Sequence, residues 1–355
     1  MSAEMVDWDL AVTAAARMAG PGPTISRAEA DTAVAELREG AARSTPLVRE
    51  FTGLEAGSAT APVVVVDRRG WIQANADGFE KLLDPVVERL LEQRGKSLEA
   101  GLGQTIGSKV TALEVGGLLG FLASKVLGQF DPFYGAVGTD QVGRLLLVAP
   151  NIVHTERELG VDPTDFRLWV CLHEETHRVQ FTAVPWMRDH LQEQIDALVG
   201  GIQVDPGAML QMITEAVKRA GELVSGKGEG SLLEIFATPQ QREVIDRVTA
   251  VMSLLEGHAD VVMDGVGPEV IPTVDTIRKR FDQRRKGAGS LDKVVRRLLG
   301  LEAKMAQYRN GAIFVRGVID EVGMEGFNKV WVEPDHLPTK DEIADPRAWV
   351  RRVHG

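Results

Sequence analysis

The sequence predicts a mostly α-helical protein with few short strands, organised around two capped helices that carry a metal-binding pattern. Three observations lead there. Apolar residues recur at helical spacing along most of the chain, while strand-like runs are few. Asp162-Pro163-Thr164-Asp165 and Thr238-Pro239-Gln240-Gln241 both combine a capping side chain, a proline suited to the first helical position and a polar third residue. The first of these helices contains His173-Glu174-Glu175-Thr176-His177.

The elements follow in order. Residues 7–19 form a first helix, stopped by Gly20-Pro21-Gly22-Pro23. Ser26 and Glu29 stand at capping-box spacing and open a second helix to about residue 42. Residues 62–66 and 70–72 flank Asp67-Arg68-Arg69 and read as a small hairpin. Helices are expected at 76–94 and 104–127. Within the second, the apolar window Val110 to Phe121 is interrupted by Glu114, too short and too charged to span a bilayer. It reads as a buried helix whose Gly116, Gly117 and Gly120 allow close packing, with a membrane-surface helix as the other reading. Residues 144–149 form a β-branched and leucine-rich strand. The motif helix runs from 162 to about 181, a flexible loop covers 226–230, and the second capped helix runs from 238 to about 264, before Gly265 and Gly267-Pro268. Residues 276–331 are helical, and a last short helix lies near 346–353.

The 355 residues can bury a large core, and two lobes are expected: an N-terminal helical lobe with the hairpin over 1–140 and a metal-binding helical region over 141–355. Apolar residues make up 44% and charged residues 26%, an ordinary globular composition, and the net charge of −11 argues against a whole-surface nucleic-acid platform. A single cysteine, Cys171, excludes an internal disulfide and fits a reducing compartment. The N-terminal residues lack a basic segment followed by an apolar run, so a cytoplasmic location is expected.

The chemistry lies in the motif. His173 and His177, four residues apart, project from one helix face and can reach one tetrahedral ion. Glu174 stands beside the first ligand, where a carboxylate takes the proton of a metal-activated water as general base and returns it to a leaving group. Glu175 departs from the pattern, since HExxH proteins more often carry an uncharged residue there. The apolar run Leu168 to Leu172 fits a helix threading the core. Cys171, two residues before His173, points away from the metal face and reads as a small core residue.

Two ligands do not complete a catalytic zinc site. On the second capped helix, Glu256 and Asp260 form an E-x-x-x-D pattern like that of the gluzincin branch of metallopeptidases, where the glutamate binds zinc and the aspartate orients a ligand histidine. His258 competes for the role. It lies about 200° around the helix from Glu256, so only one of them faces the metal. His258 shares an apolar stripe with Val251, Leu254, Leu255, Val261 and Val262, whereas Glu256 shares a polar face with Ser253 and Asp260. The expected ligand set is therefore His173, His177 and Glu256 around Zn2+, supported by Asp260.

The chain also resembles a known family, the actinobacterial zincin-like metallopeptidases described as proposed hydrolases or coenzyme F420 biosynthesis-associated proteins. The resemblance rests on Trp8-Asp9-Leu10-Ala11, Val126 to Asp131, His173 to Phe181 and Glu256 to Asp264. It continues through Gln307-Tyr308 with Gly311 and Phe314, and Asn328-Lys329-Val330-Trp331. It spans nearly the whole chain and implies a mostly helical zincin-like metallohydrolase. The coenzyme F420 link is an association by name; the sequence carries no deazaflavin-binding fingerprint, and no cofactor-binding residue besides the metal ligands is assigned.

Other candidates are weaker. Twelve Lys or Arg against three Asp or Glu between Thr276 and Arg316 read either as a solvated helix face or as an anion-binding surface. Without interleaved aromatics this run does not suggest single-stranded nucleic acid. His154 and His190 read as structural. Tyr308, with Arg309 beside it, is the candidate donor to a tetrahedral oxyanion. The expected function is a zinc-dependent hydrolase of peptidase type acting on an unidentified peptide or small molecule, with Glu174 as general base. The alternative is a catalytically silent zincin-fold binding or assembly protein.

Overall fold

The computed structural model describes residues 6–57, 59–94, 102–135, 140–200, 238–286 and 301–355. The chain is mostly helical, with three short strands among these residues. It divides into two compact units, each drawn from separated segments. The first comprises Met1–Leu47, Gly57–Arg178 and Ile271–Ile277; the second comprises Val48–Ala56, Val179–Val270 and Arg278–Gly355.

In the first unit, helix α1 (Trp8–Ala19) is capped by Asp7, whose carboxylate accepts from Leu10 N at 3.0 Å. Helix α2 (Arg27–Thr52) opens with the Ser26–Glu29 capping box expected from the sequence. It runs ten residues past its expected end at 42 and through Pro46. The hydroxyl of Ser44 bonds back to the carbonyl of Gly40 in that stretch. Strand β1 (Val63–Val66) is followed directly by helix α3 (Arg68–Arg94), so the expected hairpin is absent. Gly70 to Ile72 lie in the first turn and a half of α3, with Asp67 accepting from Gly70 N at 2.7 Å. An Asp at that position starts a helix as readily as it makes a turn.

Helix α4 (Leu102–Ala123) crosses α1 at two glycines. A Cβ on Gly116 would stand 2.7 Å from Ala11 O, and one on Gly120 2.7 Å from Ala15 O. Gly117, the third glycine of the window, has nothing within 4 Å. Strand β2 (Gly128–Asp131), to which the sequence assigns no element beyond the helix expected at 104–127, pairs antiparallel with β3 (Arg144–Val148), and β1 pairs parallel on β3's other side. Central β3 is Arg144-Leu145-Leu146-Leu147-Val148, and its last four side chains are all buried, as a strand covered on both faces requires. Helices α5 (Ala149–Leu159) and α6 (Pro163–Ala183) follow; the last residues of α6 enter the second unit. Among the described residues no helix is long and apolar enough to cross a membrane.

The second unit holds α7 (Trp186–Gly200), α8 (Pro239–Val270), and α9 (Val274–Lys286) beyond Ile277. It also holds α10 (Leu301–Phe327), two single 3-10 turns (Asn328–Trp331 and Pro334–His336), α11 (Lys340–Ala344) and α12 (Pro346–His354). Thr238 and Gln241 cap α8 reciprocally at 2.9 and 3.2 Å. Helix α8 runs six residues past its expected end, through Gly265 and Pro268. A Cβ on Gly265 would meet the Phe51 ring at 2.1 Å, so this glycine serves helix packing rather than a stop. Helices α8 and α10 cross closely at Gly257 and Gly311: a Cβ on Gly311 would lie 1.9 Å from Ser253 O. The buried Trp349 closes the unit against Phe314 and donates from its indole to His336 O at 2.7 Å. The loop expected at 226–230 and part of the helical stretch expected at 276–331 lie outside the described residues.

Candidate metal centre

Helix α6 starts as its sequence dictates, with Asp162 accepting from Asp165 N at 2.9 Å. Leu168, Cys171 and Leu172 are buried along one stripe, and this face fixes the rotation of the helix. His173 and His177 are left half-buried on another face. Their rings meet edge to face at 4.9 Å between centroids, and the two Nε2 atoms lie 3.3 Å apart. Two nitrogens bound to one tetrahedral zinc at ~2.0–2.1 Å stand about 3.3–3.4 Å apart, so the imidazoles already hold the spacing of adjacent zinc ligands.

Glu256, half-buried on α8, supplies a third donor: one ligand atom from each of His173, His177 and Glu256 lies within 4.8 Å of the others. The group has three members among the described residues, which leaves a tetrahedral ion one position for water or substrate. Two imidazoles and a carboxylate are a donor set suited to zinc. His258 lies elsewhere. It is fully buried, stacked on Phe327 at 5.4 Å and edge-on to Trp331 at 5.4 Å, with Nδ1 2.9 Å from Gln180 Nε2. Asp260 stands one turn beyond Glu256 on the exposed side of α8.

The adjacent glutamates of the motif have different surroundings. Glu175 is fully buried, and its Oε2 accepts from Thr45 Oγ1 at 3.0 Å and Arg178 Nε at 2.8 Å. Arg178 in turn donates to Ala61 O at 3.0 Å and to Thr45 Oγ1 at 2.8 Å. The unusual charge at this position thus belongs to a buried ion pair that ties α6 to α2 and to the approach to β1. Glu174 turns the other way, toward the start of β2. A Cβ built on Gly128 would lie 2.5 Å from its Cδ, 2.6 Å from its Cγ and 2.7 Å from its Oε1. Only a residue without a side chain lets the strand approach this carboxylate.

Strand β2 is itself anchored. Gln129 and Asn75 exchange amide hydrogen bonds at 3.0 and 3.2 Å. Asp131 pairs with Arg144 at 3.1 Å, and the Arg144 guanidinium lies 3.9 Å over the Tyr134 ring.

Cys171 donates to Leu37 O at 3.4 Å; burial, and then the charges of Glu175 and Glu174, push its thiol well above the ordinary range. Its thiolate is therefore disfavoured, and the residue acts as core. His154 is exposed and 3.8 Å from Glu158. His190 packs edge-on to Trp186, and burial lowers its pKa. Tyr308 and Arg309 lie on α10, with side chains outside the described residues; Gly311, one turn on, marks the crossing with Gly257, the neighbour of Glu256. From the basic run, Arg278 and Arg316 both pair with Asp264. Gly128 and Gln180 carry no functional signal in the sequence alone. Gly128 lies within the Val126 to Asp131 segment of the family resemblance, but one glycine in four residues gives no strand signal.

The model of the zincin-like metallopeptidase family matches residues 6–350. A crystal structure from Chloroflexus aurantiacus, described as a proposed hydrolase with a novel fold, is similar at 32% identity with a TM-score of 0.70. That similarity covers 98% of this chain and 99% of the other. No curated protein matches the sequence.

Proposed function

The chain belongs to the zincin-like metallopeptidase family, and from that premise we propose that it is a zinc-dependent hydrolase of peptidase type, with the ligand set of a gluzincin. The observation that carries the reading is the convergence of His173, His177 and Glu256 beside a separately held Glu174. Zinc in such a site lowers the pKa of a bound water to about 7 and polarises a carbonyl. The chain's own residues do the rest. Glu174, with its carboxylate against Gly128, accepts the proton of the attacking water and delivers it to the departing amine. Asp260 steadies the imidazole and carboxylate ligands from the surrounding shell. Tyr308 donates to the oxyanion, a role supported by its place on the helix that crosses α8 next to Glu256.

Peptide as the substrate class is supported by β2. Among the described residues it is an edge strand with one partner, β3, in a sheet ordered β1-β3-β2. An extended peptide can add to such an edge through main-chain hydrogen bonds. Gly128 opens this edge next to Glu174, so a carbonyl held along β2 would be presented to the general base. A silent binding protein has no use for this carboxylate beside the metal ligands. The coenzyme F420 association adds no ligand to the site. The test is a peptide library incubated with the purified protein, with a chelator and with Glu174→Gln as controls. Cleavage that stops in both controls supports the reading, and cleavage that persists in Glu174→Gln refutes the role of Glu174.

A further inference from the structure

Gln180 is buried one turn beyond His177 on α6, and its carboxamide reaches across to α8. Its Nε2 donates to Leu255 O at 3.0 Å and stands 2.9 Å from His258 Nδ1. A carboxamide nitrogen only donates, so Nδ1 accepts. The two acceptors bracket Glu256 in sequence, one residue before it and two after. The His258 ring cannot easily turn away, because Phe327 stacks on it and Trp331 meets its edge. A close approach of α8 to α10, Gly257 against Gly311, falls within the same four residues of α8. A single amide thus fastens the Glu256 segment to the helix that bears both histidines, and a ring cluster fastens the amide's acceptor.

We propose that Gln180 is a positioning residue for the metal, which sets the reach of Glu256 toward His173 and His177 through its bracket on Leu255 and His258. The inference rests on the ligand set proposed above. Residues that orient metal ligands from outside the coordination sphere change affinity by ~10–100-fold when removed. A bracket that acts through Glu256 has no effect once Glu256 is gone, whereas a purely structural residue acts in either background.

The test is a double-mutant cycle on zinc affinity, measured by competition with a chromophoric chelator for wild type, Gln180→Met, Glu256→Ala and the double variant. The thermal midpoint of each apo-protein is recorded alongside. Gln180→Met is expected to weaken zinc binding about tenfold or more in the wild-type background and less than about twofold in the Glu256→Ala background. Gln180→Asn, which keeps the amide but is too short to reach α8, is expected to follow Gln180→Met and serves if the methionine variant does not fold. Wild-type affinity in the Gln180 variants, or an equal loss in both backgrounds, overturns the proposal while leaving the ligand set standing. Undiminished zinc binding by Glu256→Ala overturns the ligand set, and this proposal with it.

Discussion

Replacing Glu175 by alanine separates the two adjacent carboxylates of the motif. Glu175 is fully buried and holds Arg178 and Thr45 at 2.8 and 3.0 Å. Removing one partner of a buried pair costs about 3–5 kcal/mol, because the other is left uncompensated. Here Arg178 is 19% exposed and keeps its bonds to Ala61 O and Thr45 Oγ1. The loss therefore falls near the lower end, about 3 kcal/mol. At ~2–4 °C per kcal/mol that lowers the thermal midpoint by roughly 6–12 °C. Glu175→Gln keeps the shape and an acceptor and should lose about half as much. Differential scanning calorimetry with zinc analysis on the same samples is the assay: Glu175→Ala should be less stable yet retain its zinc. An unchanged midpoint, or lost zinc at full stability, refutes the assignment of Glu175 to the fold.

Gly128→Ala places a methyl about 1 Å inside van der Waals contact with the Glu174 carboxyl, and a misplacement of that size can cost about 100-fold in turnover. Zinc content should not change, and wild-type kcat on a peptide found by the library screen would remove Gly128 from the account. Cys171, buried with a raised thiol pKa, should resist alkylation in the folded protein and react on unfolding; rapid labelling under native conditions contradicts the placement. Tyr308→Phe should lower kcat with little change in KM or metal content, and unchanged turnover removes it as an oxyanion donor.

What was legible in the sequence was local. Asp162-Pro163, Thr238-Pro239 with Gln241, and Ser26 with Glu29 each mark a helix start within four residues, and each forms the expected cap. The His173 and His177 spacing, with Glu256 on a polar face of the second capped helix, led to the three donors that converge. What was not legible depends on distant partners. Val63 to Val66 pair with a strand some eighty residues on, not with Gly70 to Ile72, because parallel pairing leaves no turn signal. Strand β2 has a glycine, a glutamine and an aspartate in four positions, and it exists because β3 offers it an edge. Gly265 reads as a helix stop until the Phe51 ring is seen against it. Glu175 looked like an anomaly because Thr45, one of its partners, lies 130 residues away.

The most direct measurement of the central claim is the zinc content of protein purified without added metal, compared with its Glu256→Ala and His258→Ala variants. Wild type should carry about one zinc per chain. Glu256→Ala should leave purification nearly empty and bind supplied zinc only weakly through the two histidines, whereas His258→Ala should take up one zinc when zinc is supplied. A wild-type protein that neither carries nor takes up zinc, or a His258→Ala variant that loses the metal while Glu256→Ala keeps it, would contradict the account.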